Sequence, residues 1–134
     1  MLMLSCKSTT LRILVVDDHE LTRLTLQLAF STQENFHVVG LASNGQEAIE
    51  MLPTAQPDVI VLDLQMPVMD GWSASSHIKA ISPKTQILAY SSVEDAQFWA
   101  ANSNLNFDDI CQKDVPTTEL IALVRQLGER AKNN

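Results

Sequence analysis

Five short apolar runs, each followed by a stretch of helical periodicity, constrain this 134-residue chain more than any other feature. The runs are "LRILVV" (Leu11 to Val16), "FHVVGLA" (Phe36 to Ala42), "DVIVLD" (Asp58 to Asp63), "TQILAY" (Thr85 to Tyr90) and a weaker "DDICQK" (Asp108 to Lys113). They are too short for buried helices and mostly lack the in-out alternation of a half-solvated strand. Buried parallel strands read this way, because helices cover both faces of their sheet.

The intervening segments supply those helices. Leu21, Leu24 and Leu28 form an apolar stripe that Leu26, Ala29 and Phe30 widen. Asn44 is placed to cap a second helix, with Glu47 as its capping-box partner, and that helix buries Ala48, Ile49, Met51 and Leu52. Pro53 and Pro57 mark its end. Ala74, Ile78 and Ile81 mark a third helix, stopped by Ser82-Pro83. "EDAQFWAA" is a short fourth helix that dissolves into the polar "NSNLN". Pro116 opens the last, with Leu120, Leu123, Val124 and Leu127 on one face; Gly128 and "ERAKNN" predict fraying. The pattern is that of βαβ crossovers, and the length is that of one domain, with a core over about residues 11–130.

Sites in such sheets lie beyond the carboxyl ends of the strands. Asp17 and Asp18 end the first run, Asp63 the third, Ser91 the fourth, and Lys113 the fifth. A buried carboxylate costs several kcal/mol unless its charge is compensated. Three together need a cation among them, and carboxylate oxygens suit Mg²⁺. A lysine and a hydroxyl beside them make a pocket for a dianion next to a carboxylate nucleophile, and carboxylates do accept phosphoryl groups. Singly, each of these residues has a plain reading: a solvated strand end, a turn serine, a surface lysine. Asp70-Gly71 is a turn and helix start. His19 is tempting as a base or ligand, but a structural or surface role is the plainer reading, since no second histidine sits at ligand spacing. Trp72, Phe98 and Trp99 are packing residues.

The segments "VVDDHE", "VIVLDLQMPVMDGW", "AYSS" and "CQKD", in this order and at this spacing, resemble the receiver domain of two-component response regulators. The likeness runs from about Leu11 to Arg130, and "DDHE" with Lys113-Asp114 is most similar to receivers of LuxR-type helix-turn-helix regulators. It implies a flavodoxin-like (βα)5 fold with a five-stranded parallel sheet in the order 2-1-3-4-5. It implies Asp63 as phosphoacceptor, Lys113 as the cation for the phosphoryl group and Ser91 as the switch hydroxyl. Mg²⁺ would be held by Asp18, Asp63 and the Gln65 backbone carbonyl, with Asp17 assisting through water. The implied partner is a sensor histidine kinase or a histidine phosphotransfer protein. The implied homodimer contact is the fourth helix, fifth strand and last helix. A C-terminal DNA-binding effector of the LuxR type would be absent from this chain.

The sequence departs from the family pattern at its signalling face. Ile110 stands where an aromatic switch residue is usual, Asn106 where glycine is usual, and Phe107 where a small residue is common. Asn106 can still adopt a left-handed helix end. Asp114 replaces the proline that often follows the lysine, so the Lys113–Asp114 bond should be trans.

Three other readings compete. A degenerate receiver serving only as a binding module would have lost Asp18, Asp63 or Lys113. An aspartyl-nucleophile phosphatase of the haloacid-dehalogenase type needs a second Asp two residues after the nucleophile, where Gln65 stands. No released-substrate enzyme activity is expected. A nucleotide-binding site lacks its glycine-rich loop after the first strand.

Composition narrows the setting. At 46% hydrophobic and 19% charged the chain is a packed globule, and its net charge of −7 argues against direct nucleic-acid or anionic-membrane binding. Cys6 and Cys111 are too few for a disulfide framework, consistent with a reduced, cytoplasmic setting. "MLMLSC" lacks the basic and long apolar regions of a signal peptide.

Overall fold

The computed structural model describes residues 10–92 and 106–133. The strands are β1 (Leu11–Val16), β2 (Phe36–Ala42), β3 (Val59–Asp63), β4 (Gln86–Ser91) and β5 (Asp109–Gln112). They form one parallel sheet in the order β2-β1-β3-β4-β5. The helices among the described residues are α1 (Glu20–Ser31), α2 (Gly45–Ala55), α3 (Gly71–Ile81) and α4 (Thr117–Asn133). The fold is therefore flavodoxin-like in the expected strand order, with four helices of the (βα)5 set among the described residues. The expected helix over "EDAQFWAA", with Phe98 and Trp99, lies outside the described residues.

The continuous apolar runs conceal a period of two that only the packed sheet reveals. Ile13, Val15, Val59, Val61 and Leu88 point to one side, where Leu26, Phe30, Leu120, Val124 and Leu127 cover them from α1 and α4. Leu14, Val16, Ile60, Leu62 and Ile87 point to the other, against Ala48, Leu52, Ala74 and Ile78 of α2 and α3. Both layers are sealed, so the central strands are apolar on both faces.

Caps behave as the sequence predicts, with one shift. Asn44 accepts from Glu47 N–H at 2.9 Å, but the returning Glu47 carboxylate takes the Ser43 N–H at 2.8 Å, one residue before the cap. Asp70 caps α3 by accepting from Ser73 N–H at 2.8 Å.

Two helical expectations are corrected, and the end of α2 falls between the two prolines expected to mark it. The leucine stripe of α1 faces outward: Leu21 is 77% exposed and Leu28 71%, while Leu26 and Phe30 are buried. Two apolar series interleave on this helix, and the one containing the largest side chain wins. Phe30 packs edge-on against Phe36 with ring centroids 5.9 Å apart. Pro53 lies inside α2, which ends at Gln56 in the left-handed conformation (φ 45°). The missing N–H of Pro53 removes one bond near the helix end, where packing of Leu52 and Ala55 outweighs it. Gly128 does not fray α4, which runs on to Asn133. A Cβ at Gly128 would stand 2.5 Å from Leu11 Cδ1, so its lack of a side chain lets α4 approach β1.

Candidate functional site

The alternation that builds the core also aims the acids. Asp17 continues the series of Ile13 and Val15, and Asp63 that of Val59 and Val61, so both leave the sheet on the α1–α4 side. Both are almost completely buried, at 1% and 3% exposure. Asp18, one residue out of phase, is partly exposed.

Lys113 reaches into this pair. Its Nζ lies 3.1 Å from Asp17 Oδ2 and 3.3 Å from Asp63 Oδ1. The backbone sets its position, since Lys113 N–H donates to the Ser91 carbonyl at 2.7 Å, tying the end of β5 to the end of β4. Its ammonium also sits 5.7 Å from the centre of the Tyr90 ring. The Lys113–Asp114 peptide is trans, as no described bond is cis. Gln65 N–H donates to Asp63 Oδ1 at 3.3 Å, and Arg23 Nη1 donates to the Asp17 carbonyl at 2.7 Å. Ser91 is fully buried beside this rim.

The balance of charge is incomplete. Burial, and then repulsion from Asp17, push the Asp63 carboxyl up to about 6, against the opposing pull of Lys113 and the Gln65 N–H. Burial works against the Lys113 ammonium, yet the attraction of Asp63 and Asp17 holds its pKa above the ordinary lysine value. Asp63 Oδ2 and Ser91 Oγ have no hydrogen-bond partner, and Asp18 Oδ1 has only the His19 ring nitrogen, 3.1 Å away. Buried polar atoms are rarely left so. One lysine does not satisfy every acceptor of this cluster. Asp17, Asp18, His19 and Asp63 each offer a ligand atom within 4.8 Å of the others, so the acidic cluster fits a hard cation.

The loop from Leu64 to Asp70 is pinned against the end of β3. Gly71 N–H bonds the Leu64 carbonyl at 3.0 Å, and a Cβ on Gly71 would meet the Asp63 carbonyl oxygen at 2.5 Å. Met69 N–H returns to the Pro67 carbonyl at 2.7 Å around Val68, whose φ of 71° is strained for a β-branched residue.

The structure thus brings together Asp17, Asp18, Asp63 and Lys113, places Ser91 at the end of the neighbouring strand, and puts Gln65 directly after Asp63. Sequence reasoning missed three neighbours. Arg23 sits one turn into α1 and Tyr90 precedes Ser91, so both carried a positional signal. His19, read as a surface residue, has its Nδ1 3.1 Å from Asp17 Oδ1 and 3.1 Å from Asp18 Oδ1.

A doubly wound sheet in this order, with an acid-lined rim and one lysine, defines a class. The chain belongs to the response regulator receiver domain family, whose model matches residues 13–125. It is 39% identical over 93 residues to the response regulator protein VraR of Staphylococcus aureus, an alignment covering 69% of this chain and 44% of that protein. The chain therefore spans less than half the length of the curated relatives it matches. The signal receiver domain of the response regulator NarL from Mycobacterium tuberculosis superposes with a TM-score of 0.82 at 28% identity, covering 90% of this chain and 97% of that one. A two-component response regulator of the LuxR family from Aurantimonas sp. SI85-9A1 gives a TM-score of 0.82 at 24% identity, covering 90% and 86%, a likeness of fold alone.

Proposed function

We propose that Asp63 accepts a phosphoryl group from a phosphohistidine on a sensor kinase or phosphotransfer protein, in a Mg²⁺-dependent step. The observation that carries this reading is a buried carboxylate with one oxygen unpartnered, held beside a lysine and two further acids. A carboxyl near 6 is ionised at neutral pH, yet more basic than an ordinary aspartate and so a better nucleophile. An Asp63 oxygen attacks phosphorus, the new O–P bond forms as the P–N bond to imidazole breaks, and the leaving nitrogen keeps the electron pair. Asp63 then carries an acyl phosphate. Lys113 turns from its carboxylates to the phosphoryl oxygens, and the Ser91 hydroxyl donates to one of them. Asp18, Asp63 and the Gln65 carbonyl would hold the ion, with Asp17 assisting through water, and Mg²⁺ bound there would supply positive charge to the transferring group.

The surrounding expectations belong to the same reading. The domain is a single receiver acting in the cytoplasm, and no helix among the described residues is long and apolar enough to cross a membrane. Ile110, aligned with Ala89 of β4 and half-buried, fills only part of the space an aromatic would fill. The signal then leaves through the segment after Ser91 toward an effector or a second receiver.

Incubation with a small phosphodonor and Mg²⁺ should add one phosphoryl group by intact-mass spectrometry. Asp63→Asn should remove it. Equal labelling of that variant would displace Asp63 from the central role.

A further inference from the structure

His19 stands at the N-cap of α1, where Ser, Thr, Asp or Asn would satisfy a free backbone N–H. Its extended backbone (φ −93°, ψ 117°) suits a cap, but its side chain makes no capping hydrogen bond. The ring turns instead to the acids. His19 N–H donates to Asp17 Oδ1 at 2.9 Å, and Nδ1 lies 3.1 Å from that same oxygen and 3.1 Å from Asp18 Oδ1. Octahedral ligands about 2.1 Å from an ion stand about 3.0 Å from their neighbours. The ring nitrogen is therefore spaced from each carboxylate oxygen as neighbouring ligands of one coordination shell are. A second observation points into the same place. Asp63, 3% exposed, leaves Oδ2 without a partner in a cluster whose four residues offer ligand atoms within 4.8 Å.

We propose that His19 is a specificity-determining ligand of this site, tuning it toward first-row divalent transition ions such as Mn²⁺ over Mg²⁺. The inference rests on the reading of the acidic cluster as a cation site. Mg²⁺ takes oxygen and keeps its water, so an imidazole adds little to it. Transition ions accept nitrogen readily, and the preference grows along the first row. The side chain is well placed for this role, since at 67% exposure it can swing into or out of the shell without disturbing the core. The backbone N–H to Asp17 fixes the root of the residue while the ring moves.

The test is metal binding by the unphosphorylated protein at a fixed, mildly alkaline pH. Titration calorimetry gives the Mn²⁺ and Mg²⁺ affinities of the wild type and of His19→Gln. Electron spin-echo envelope modulation of bound Mn²⁺ reports directly on a coordinated nitrogen. The wild type should show nitrogen modulation that His19→Gln lacks. The variant should bind Mn²⁺ about tenfold more weakly, a loss on the scale of removing a supporting ligand, while its Mg²⁺ affinity stays within about twofold. Retained Mg²⁺ affinity also shows that the variant is folded. His37 and His77 are present in both proteins, so loss of the signal assigns it to His19. Mn²⁺ bound without nitrogen modulation, or a ratio of the two affinities unchanged by the substitution, overturns the proposal while leaving the cation site in place. Binding of neither ion by the wild type overturns both.

Discussion

Replacing Asp63 by Asn should make the metal-free protein more stable. An unfolded aspartate has a pKa of 3.8, and the folded site raises it to about 6, chiefly by burial and then by repulsion from Asp17. The folded protein thus holds the proton more tightly than the unfolded chain. Between those values the folded state binds more protons, so stability falls as pH rises. Above about 6 the full effect is present, about 3 kcal/mol of destabilisation from the ionised Asp63. Asn removes that charge, keeps an acceptor for the Gln65 N–H, and leaves Lys113 its Asp17 partner at 3.1 Å. The attraction of Lys113 for Asp63 is already contained in that destabilisation, so losing the pair adds no separate cost. The net expectation is a gain of about 3 kcal/mol at pH 7.5, shrinking to about 1 kcal/mol at pH 4.5, where most of the wild-type carboxyl is protonated in the folded state but not yet in the unfolded chain. Urea denaturation in the presence of a chelator, at both pH values, measures it. A variant no more stable than wild type at pH 7.5, or an advantage that persists undiminished at pH 4.5, would refute the argument that Asp63 is held at an electrostatic cost.

Asp18→Ala should also stabilise the metal-free protein by relieving repulsion, and should abolish the Mg²⁺-induced rise in stability, which in the wild type is about 1.4 kcal/mol at ten times the dissociation constant; thermal melts with and without the ion decide this. Gly71→Ala should cost about 1–3 kcal/mol, because its Cβ meets the Asp63 carbonyl oxygen at 2.5 Å and backbone must move; chemical denaturation would expose the error if the variant matched wild type. On α1, Phe30→Ala should cost about 3–5 kcal/mol, whereas Leu28→Ala, at an outward position, should change stability by less than about 0.5 kcal/mol; comparable losses would restore the leucine stripe to the core.

The fold was legible in the sequence because its signals are local. Buried strands bounded by carboxylates, the Asn44 and Asp70 caps, and the order of segments each depend on residues within a few positions of one another. The placement of the acids was legible for the same reason: a strand that ends in an acid can only deliver it to the carboxyl rim. Pairwise geometry across the chain was not local, and only packing decided it. Leu21, Leu24 and Leu28 satisfy helical periodicity as well as Leu26 and Phe30 do, and contact with Phe36 chose between them. Gly128 reads as a helix breaker until Leu11 occupies the space its side chain would need. His19 carries no ligand signature in its spacing. The turn from β1 into α1 brings its ring to Asp17 and Asp18. Which acids are buried, and so which one titrates near neutrality, depends on desolvation by distant segments, a quantity that exists only once the sheet and its two helical layers have closed.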